Sequence, residues 1–287
     1  MKNTFRKNIA FSFYGKLIKF NGTRLVFRRV SMEPYIISKE NEGVLLFIIN
    51  RPDRRNAINF EVMNGLEEAI RLASADDVKV FAITGAGSQA FCSGGDLAAF
   101  HLLKTEEQAY GMLSRMAGIL YKILVLPKPT IAILNGTTVG GGCEIASACD
   151  FRIGINGMKA GFVQANLAIT TGWGGGTLLL EKLQQPSALK MLLDAKLHTA
   201  VELREIGFLH DLYEGDPMEA CLSFLKESLE KETSVLEAYK SLLNKKWELL
   251  SMRERMNDEA ARCAVLWEGE AHHKKVDEFM HQKNKNN

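Results

Sequence analysis

Short apolar runs recur along the first two thirds of the chain. The run VLLFIIN at 44–50 is almost wholly apolar, as expected for a strand that is buried on both faces of a layered sheet. VKVFAITG at 78–85 and PTIAILNG at 129–136 repeat this pattern. The three runs therefore predict three buried strands.

Segments with helical spacing separate these predicted strands. Apolar residues recur at helical spacing from 63 to 73, after Asn59, which suits an N-cap. A second helical segment precedes the third strand, and its Thr105 and Gln108 have the spacing of a capping box. Strand, turn and helix units in a row predict parallel crossovers, so the fold class is α/β.

The C-terminal third has a different pattern. Thr199 and Glu202 form a second capping-box signature, and Gly207 suits the end of a helix. Long charged helices are predicted over about 216–283. No internal repeat or low-complexity stretch interrupts the chain.

Charge and pattern together divide the chain into three parts. Residues 1–31 carry eight Lys or Arg and no Asp or Glu, although the formal net charge of the chain is only +2. This extension is expected to be poorly ordered, and a transit peptide or a nucleic-acid or membrane-surface arm are its other interpretations. A core follows at 32–200, and a helical region at 201–287 is expected to serve oligomerisation and pocket closure.

Composition excludes several classes of protein. The chain has 287 residues, 46% of them apolar, and lacks the run of about 18 apolar residues that spans a bilayer. Five cysteines without CxxC spacing suggest neither a zinc knuckle nor a disulfide framework. A cytoplasmic location is expected, with organelle targeting by the basic extension left open. No metal site is predicted, because His272 and His273 are adjacent on a helix and are expected to face solvent.

Two glycine-rich turns carry the candidate chemistry. FCSGGD at 91–96 and NGTTVGGGCE at 135–144 each end a predicted strand and begin a predicted helix. Bare backbone N–H groups in two such turns can converge on one oxygen and form an oxyanion hole. The structural alternative is a pair of tight turns that need positive φ. Neither turn has the spacing of a P-loop or of a dinucleotide-binding motif.

Glu144 lies in the first turn of the helix that the second glycine turn begins. A carboxylate there is stabilised by the helix dipole, which is the structural interpretation of its position. In the functional interpretation, Glu144 is a general acid or base beside the oxyanion. Burial beside an acyl chain would raise its pKa towards neutrality, as proton transfer at neutral pH requires.

Four motifs in order resemble the crotonase, or enoyl-CoA hydratase/isomerase, family across nearly all of 34–280. They are NRPDRRNAI, ITGAGSQAFCSGGDL, KPTIAILNGTTVGGGCEIASACDFRI and GFVQANLAITTGWGGGTLL. The resemblance implies a spiral of ββα units with a helical C-terminal region, assembled as trimers or hexamers. It also implies an acyl-CoA thioester substrate and a role in fatty acid metabolism. Coenzyme A would enter as part of the substrate, with no separate cofactor.

The resemblance also assigns site residues. It implies oxyanion N–H groups at Ser93 and Gly141 and a catalytic carboxylate at Glu144. The second carboxylate position of the family falls on Asn166, in FVQAN. The expected contacts with coenzyme A are Arg54, Arg55, Ala57, Gly94, Gly95 and Asp96, with the arginines facing phosphate.

Asn166 leaves the reaction open, because an amide cannot take a proton. Slow hydration, movement of a double bond by one proton carrier, and loss of CO₂ from a malonyl-type thioester all stay open. Trp173, Phe162-Val163 and the run at 149–152 resemble the ethylmalonyl-CoA decarboxylase branch more than typical hydratases. The alternative from another class is a non-catalytic relative that binds acyl-CoA or nucleic acid, although binding to nucleic acid or to membranes is not expected.

Overall fold

The computed structural model describes residues 33–285, and the basic extension at 1–31 lies outside them. The strands within this range are Tyr35–Lys39 (β1), Val44–Ile49 (β2), Val80–Gly85 (β3), Ala90–Cys92 (β4), Thr130–Leu134 (β5), Thr137–Val139 (β6), Phe151–Ile155 (β7), Lys159–Gly161 (β8), His198–Thr199 (β9) and Asp211–Tyr213 (β10). The helices are Phe60–Ala73 (α1), Leu97–Phe100 (α2), Glu106–Leu124 (α3), Gly141–Ala148 (α4), Gly175–Lys182 (α5), Gln185–Asp194 (α6), Ala200–Glu205 (α7), Pro217–Phe224 (α8), Lys226–Leu229 (α9), Thr233–Leu249 (α10), Met252–Glu268 (α11) and Glu270–Lys285 (α12).

The strands form two sheets through which the chain winds. The larger sheet has the order β1-β2-β3-β5-β7-β10, and the smaller has the order β4-β6-β8-β9. From β3 to β8 successive strands alternate between the two sheets, and helices follow each pair. All pairings are parallel except β1 with β2 and β8 with β9. This winding is the α/β spiral of ββα units that the sequence predicts.

The apolar runs form strands because both faces of the larger sheet are buried. On β2, Leu45, Phe47 and Ile49 belong to the main core, whereas Val44 and Leu46 belong to a smaller cluster on the opposite face. Successive side chains of a strand point to opposite faces, so a strand covered on both sides must be apolar throughout. The prediction of buried strands is confirmed for all three runs.

The predicted helix starts are confirmed by their caps. Asn59 accepts a hydrogen bond from the Val62 N–H at the start of α1. The capping boxes at Thr105 and Thr199 are both complete. Each side-chain oxygen satisfies a backbone N–H that the first helical turn leaves without a partner.

The smaller sheet brings the candidate residues together. β4, β6 and β8 are parallel neighbours, with Cys92 opposite Thr138 and Val139 opposite Gly161. Because parallel strands end at the same edge, the two glycine turns and the segment after Gly161 meet there. Binding sites in α/β proteins are usually found at this carboxyl edge.

The C-terminal helices cover the core beside this edge. α11 packs along α3 and against α5, and the Trp267 indole N–H donates to the Leu103 carbonyl at 2.8 Å. None of the helices within 33–285 is both long and apolar enough to cross a bilayer. The proposed division of the chain at residue 200 stays a prediction.

Candidate active site

A cavity of about 430 Å³ lies at the carboxyl edge of the smaller sheet. Its walls are mostly apolar, and they come from both glycine turns, from α3 and from the C-terminal helices. The polar side chains on the wall include Glu144, Gln164, Asn166 and His272. Ligand cavities commonly combine such an apolar lining with a few converging polar groups.

Glycine is required in both turns by backbone conformation and by close packing. Gly94 and Gly140 have φ of 95° and 54°, in the left-handed region that favours glycine. A Cβ at Gly141 would lie only 2.1 Å from a ring carbon of Trp173, and one at Gly94 would lie 3.3 Å from the Gly141 nitrogen. The two turns and the buried Trp173 ring thus form one packed unit at the cavity wall.

The backbone N–H groups of the first turn are not all available to a ligand. Ser93 donates its N–H to the Arg55 carbonyl at 3.1 Å, and Asp96 donates to the Ile58 carbonyl at 2.8 Å. Within 33–285, by contrast, the N–H groups of Gly95 and Gly141 have no acceptor, and both residues line the cavity. The N–H that the resemblance assigns to Ser93 is therefore already bonded, and in the first turn it is the Gly95 N–H that has no acceptor among the described residues.

Glu144 is held firmly although it carries a buried carboxyl group. Its side chain is only 3% exposed. One oxygen, Oε2, accepts from the N–H groups of Trp173 and Gly175 at 2.8 and 2.9 Å, and Oε1 accepts from the Gln164 amide at 2.9 Å. Glycine at 175 is required, since a Cβ there would lie 2.2 Å from Glu144 Cγ.

Burial raises the pKa of Glu144 to about 8, and the negative charge of Glu259 adds to the effect. The three N–H donors act in the opposite direction because they stabilise the carboxylate. Removal from water outweighs them, so most molecules carry a protonated Glu144 at neutral pH. The shift has the direction expected from the sequence, and a group in this state can donate a proton.

The residue that faces Glu144 is Gln164 rather than Asn166. Asn166 instead donates its amide to the Ala195 carbonyl at 2.7 Å and lines an exposed part of the cavity. Gln164 begins a 3-10 turn, Gln164–Leu167, directly after β8. Asn166 therefore does not bond to Glu144, and its assignment to the second carboxylate position of the family stays a prediction. The motif FVQAN contains two amides two positions apart, and only the path of the chain after β8 selects between them.

The expected coenzyme A contacts divide into three groups. Gly94 and Gly95 line the cavity, whereas Arg54 and Arg55 are exposed outside it. Ala57 is buried and has no polar side chain, and the Asp96 carboxylate is already paired with Arg51.

Arg51, which the sequence analysis did not select, explains these last two placements. Its guanidinium donates to Asp96 at 2.7 Å and to the Ala57 carbonyl at 2.6 Å. It thereby joins the segment after β2 to the first glycine turn.

His272 is a wall residue that the sequence analysis placed in solvent. It is 2% exposed, lies against the Trp267 ring at 4.7 Å between centroids, and shares a 2.7 Å hydrogen bond with the Leu167 carbonyl through Nδ1. That expectation is therefore wrong, because α12 folds over the segment after β8 and buries one of its two adjacent histidines. Burial also lowers the pKa of His272. No cluster of three or more side chains suited to a metal ion occurs in the part of the chain that the structure describes.

Comparison with known proteins gives consistent matches. The profile of the enoyl-CoA hydratase/isomerase family matches residues 39–285. An ethylmalonyl-CoA decarboxylase from Bos taurus is 30% identical over 240 residues, covering 82% of this chain and 78% of its own. A crotonyl-CoA hydratase from Syntrophomonas wolfei is 34% identical over 192 residues, covering 66% and 72%.

The solved structures support the fold. The crystal structure of an enoyl-CoA hydratase from Bacillus halodurans superposes with a TM-score of 0.78 at 22% identity. The match covers 85% of this chain and 99% of that one.

Proposed function

The chain belongs to the enoyl-CoA hydratase/isomerase family, and on this premise we propose that it removes CO₂ from a malonyl-type acyl-CoA thioester. The observation that carries the proposal is the environment of Glu144. Its carboxyl group is buried, has a pKa of about 8 and faces the neutral amide of Gln164. Such a group suits the donation of one proton to a carbanion.

The enolate would be stabilised by backbone N–H groups. Gly95 and Gly141 present N–H groups without an acceptor within 33–285, on the wall that also holds Glu144. Gly141 is the first residue of α4, so the positive end of that helix dipole adds to its N–H. Donors fixed in this way stabilise charge that develops on the thioester oxygen, and each can contribute about 10²-fold to the rate.

Each step of the proposed reaction balances. The bond between the α-carbon and the substrate carboxylate breaks, CO₂ leaves, and the electron pair moves into the enolate of the thioester. Protonated Glu144 then gives its proton to the α-carbon, which produces an acyl-CoA without the lost carboxylate. Solvent returns a proton to Glu144 before the next turnover.

Hydration fits the site less well. Adding water across a double bond uses one group to take a proton from water and another to deliver a proton to the α-carbon. Gln164 cannot ionise and therefore cannot share this work with Glu144. The Bos taurus ethylmalonyl-CoA decarboxylase matches 82% of this chain, whereas the crotonyl-CoA hydratase matches 66%.

Arg54 and Arg55 are proposed to contact the phosphates of coenzyme A. Both are exposed in the segment whose Arg55 carbonyl accepts from Ser93 at the first glycine turn. Charge-assisted hydrogen bonds from guanidinium to phosphate suit this role. Coenzyme A would be part of the substrate, so the proposal includes no separate cofactor.

The proposal also includes assembly as a trimer or hexamer, a cytoplasmic location and a part in fatty acid metabolism. Exposed apolar side chains at Leu189, Leu193, Leu197 and Val201 follow one another along α6 and into α7 and support contact with a second copy. Sedimentation of Leu193→Asp beside the wild type tests this assembly. A wild type that sediments as a monomer would contradict it.

A thioester panel followed by mass spectrometry tests the reaction. Ethylmalonyl-CoA and methylmalonyl-CoA should lose CO₂, and crotonyl-CoA should be hydrated much more slowly, with Glu144→Gln as the inactive control. Faster hydration than decarboxylation would overturn the proposal. Coenzyme A binding without turnover of any thioester would favour a non-catalytic relative instead.

A further inference from the structure

A second carboxylate lies beside Glu144, although it comes from a distant part of the chain. Glu259 on α11 accepts from the N–H groups of Gly176 and Thr177 at 3.2 and 2.6 Å, and from the Thr177 hydroxyl at 2.6 Å. Glu259 is half-buried between α11 and α5. Its three partners leave it little freedom to move.

The two carboxylates divide the N-terminal N–H groups of α5 between them. Glu144 takes those of Trp173 and Gly175, and Glu259 takes those of Gly176 and Thr177. The first N–H groups of a helix are the strongest local stabilisers of negative charge. The N–H groups that bond to Glu259 are therefore not available to stabilise a negative charge on Glu144.

The charges around Glu144 have one sign. Glu259 raises its pKa, and the other titratable groups that interact with it are the thiols of Cys143 on α4 and Cys263 on α11. Among the described residues, no Lys or Arg is among the groups that shift the pKa of Glu144. Two cations lie within one turn of Glu259 on its own helix, Arg255 and Arg262, and Arg255 pairs with Glu181 at 2.7 Å.

We propose that Glu259 is a positioning residue that keeps Glu144 in its protonated form. It does so by placing a fixed negative charge at the same helix N-terminus and by occupying two of the N–H groups there. The inference rests on the proposed function only where it assumes that Glu144 gives this proton to the α-carbon of the substrate. The effect itself is a property of the protein without substrate.

The role is distinct from ordinary helix capping. A cap alone would stabilise α5 without changing the protonation of a neighbouring group. A charge that tunes Glu144 must instead change the pH at which Glu144 ionises. The two roles therefore predict different results for a substitution that removes the charge and keeps the shape.

Glu259→Gln is that substitution, and infrared difference spectra against Glu144→Gln measure the ionisation of Glu144 in the protein without substrate. The wild type should titrate near 8. Loss of a nearby like charge should lower this midpoint by about one unit. If the Gln variant does not fold, Glu259→Met removes the same charge with an apolar side chain of similar length.

Glu254→Gln is the matched control, because it removes an exposed carboxylate from the same helix, α11, and keeps both the Arg255–Glu181 pair and the N-terminus of α5. Its midpoint should equal that of the wild type. An unchanged midpoint in the Glu259 variants, or an equal shift in Glu254→Gln, would overturn the inference.

The pH profile of turnover separates this inference from the proposed function. If a thioester is decarboxylated, the descending limb of its pH profile should move down with the infrared midpoint in Glu259→Gln. A shifted midpoint without turnover of any thioester would leave the tuning intact and defeat the proposed function. Turnover of a thioester with an unchanged infrared midpoint in Glu259→Gln would support the proposed function and defeat the inference about Glu259.

Discussion

The two ends of helix α4 are surrounded by ionisable groups of opposite type. At the N-terminal end these are the buried carboxyl group of Glu144 and, beside it, the half-buried Glu259, and the Gly141 N–H has no acceptor within 33–285. At the C-terminal end Arg152 and Lys182 donate to the Cys149 carbonyl at 3.0 and 2.9 Å. Cations at a helix C-terminus complement its dipole, whereas an unpaired N–H at the N-terminus keeps its capacity to stabilise an anion.

At the C-terminal end, removing two cations from water costs solvation free energy, and this cost lowers their pKa values. Burial lowers the pKa of Arg152 to about 10 and that of Lys182 to about 7. Arg152 also donates to the Phe208 carbonyl at 2.6 Å, so it joins α4 to the segment before β10. Asp150 accepts from Lys240 at 2.6 Å and is thereby already paired.

The difference teaches that one helix can serve stability at one end and chemistry at the other. The cations occupy carbonyls that would otherwise be buried without a partner, which is a structural task. The carboxyl group at the opposite end is kept neutral at a cost in solvation, and strongly shifted pKa values of this kind are concentrated at functional sites. Substitutions at the two ends should therefore affect different measurements.

The largest expected effect is on activity at the N-terminal end. Glu144→Gln should lower kcat by about 10² to 10⁴-fold, since it removes the proton donor and keeps the shape. Thermal unfolding at neutral pH should be little changed, because the wild-type group is mostly protonated. Turnover of Glu144→Gln close to that of the wild type would show that the N-terminal end of α4 does not supply the proton donor.

The next effect is on stability at the C-terminal end. Arg152→Met should lower the free energy of unfolding by about 3 kcal/mol, because buried carbonyls lose their donors. Urea unfolding measures the loss, and kcat measured on the folded protein should stay within about threefold of the wild type. A fall in kcat as large as that of Glu144→Gln would mean that both ends serve the chemistry.

A second carboxylate at the N-terminal end should change the reaction. Gln164→Glu should raise the hydration of crotonyl-CoA by at least about tenfold, because it adds an ionisable group opposite Glu144. Asn166→Glu is the matched control, since Asn166 lies two residues away and bonds to Ala195. An equal gain in both variants would contradict the placement of Gln164.

The pH profile of decarboxylation should follow Glu144. Its folded pKa of about 8 lies above the ordinary value, so the protonated donor predominates below pH 8. Above that pH the rate should fall by about tenfold per unit as the donor ionises. A rate that rises through pH 8 would indicate a carboxylate acting as a base instead. Because the folded pKa is raised from 4.5 to about 8, the free energy of unfolding should also fall as pH rises from 4.5 to about 8.

The smallest effect is expected at Lys182. Its folded pKa of about 7 lies below the ordinary value of 10.5, so stability is lost as pH falls from 10.5 to about 7, where the unfolded chain takes up a proton and the folded protein does not. Lys182→Met should be less stable than the wild type by about 1 kcal/mol at alkaline pH, where the wild type keeps the bond to Cys149. Melting temperatures over a pH series should show this gap closing as pH falls. A gap that widens instead would contradict the lowered pKa.

Much of the fold follows from local signals in the sequence. The run at 44–50 predicts β2 because a strand covered on both faces has no polar side, and Asn59 and Thr105 mark helix starts through their own hydrogen bonds. The glycine turns are also visible, since positive φ at Gly94 and Gly140 favours that residue. Each of these signals depends on residues close together in the chain.

The errors at the site involve contacts that no local pattern records. The resemblance implies a free N–H at Ser93, whereas this N–H bonds to the carbonyl of Arg55, which lies 38 residues earlier. The amide that bonds to Glu144 is that of Gln164, which the sequence does not single out. His272 is expected in solvent, whereas it is buried against Trp267. In each case the direction of a group depends on a partner that the sequence does not identify.

By itself, the sequence determined the α/β class, the two glycine turns and the position of Glu144 in the first turn of a helix, because periodicity, backbone conformation and helix position are local properties. Only the tertiary structure decided which N–H groups stay without a partner, which amide faces Glu144 and which carboxylate shares its helix. These depend on distances between β4, β6, α5 and α11. Folding brings those elements together from separate parts of the chain, and a buried charge responds to all of them at once.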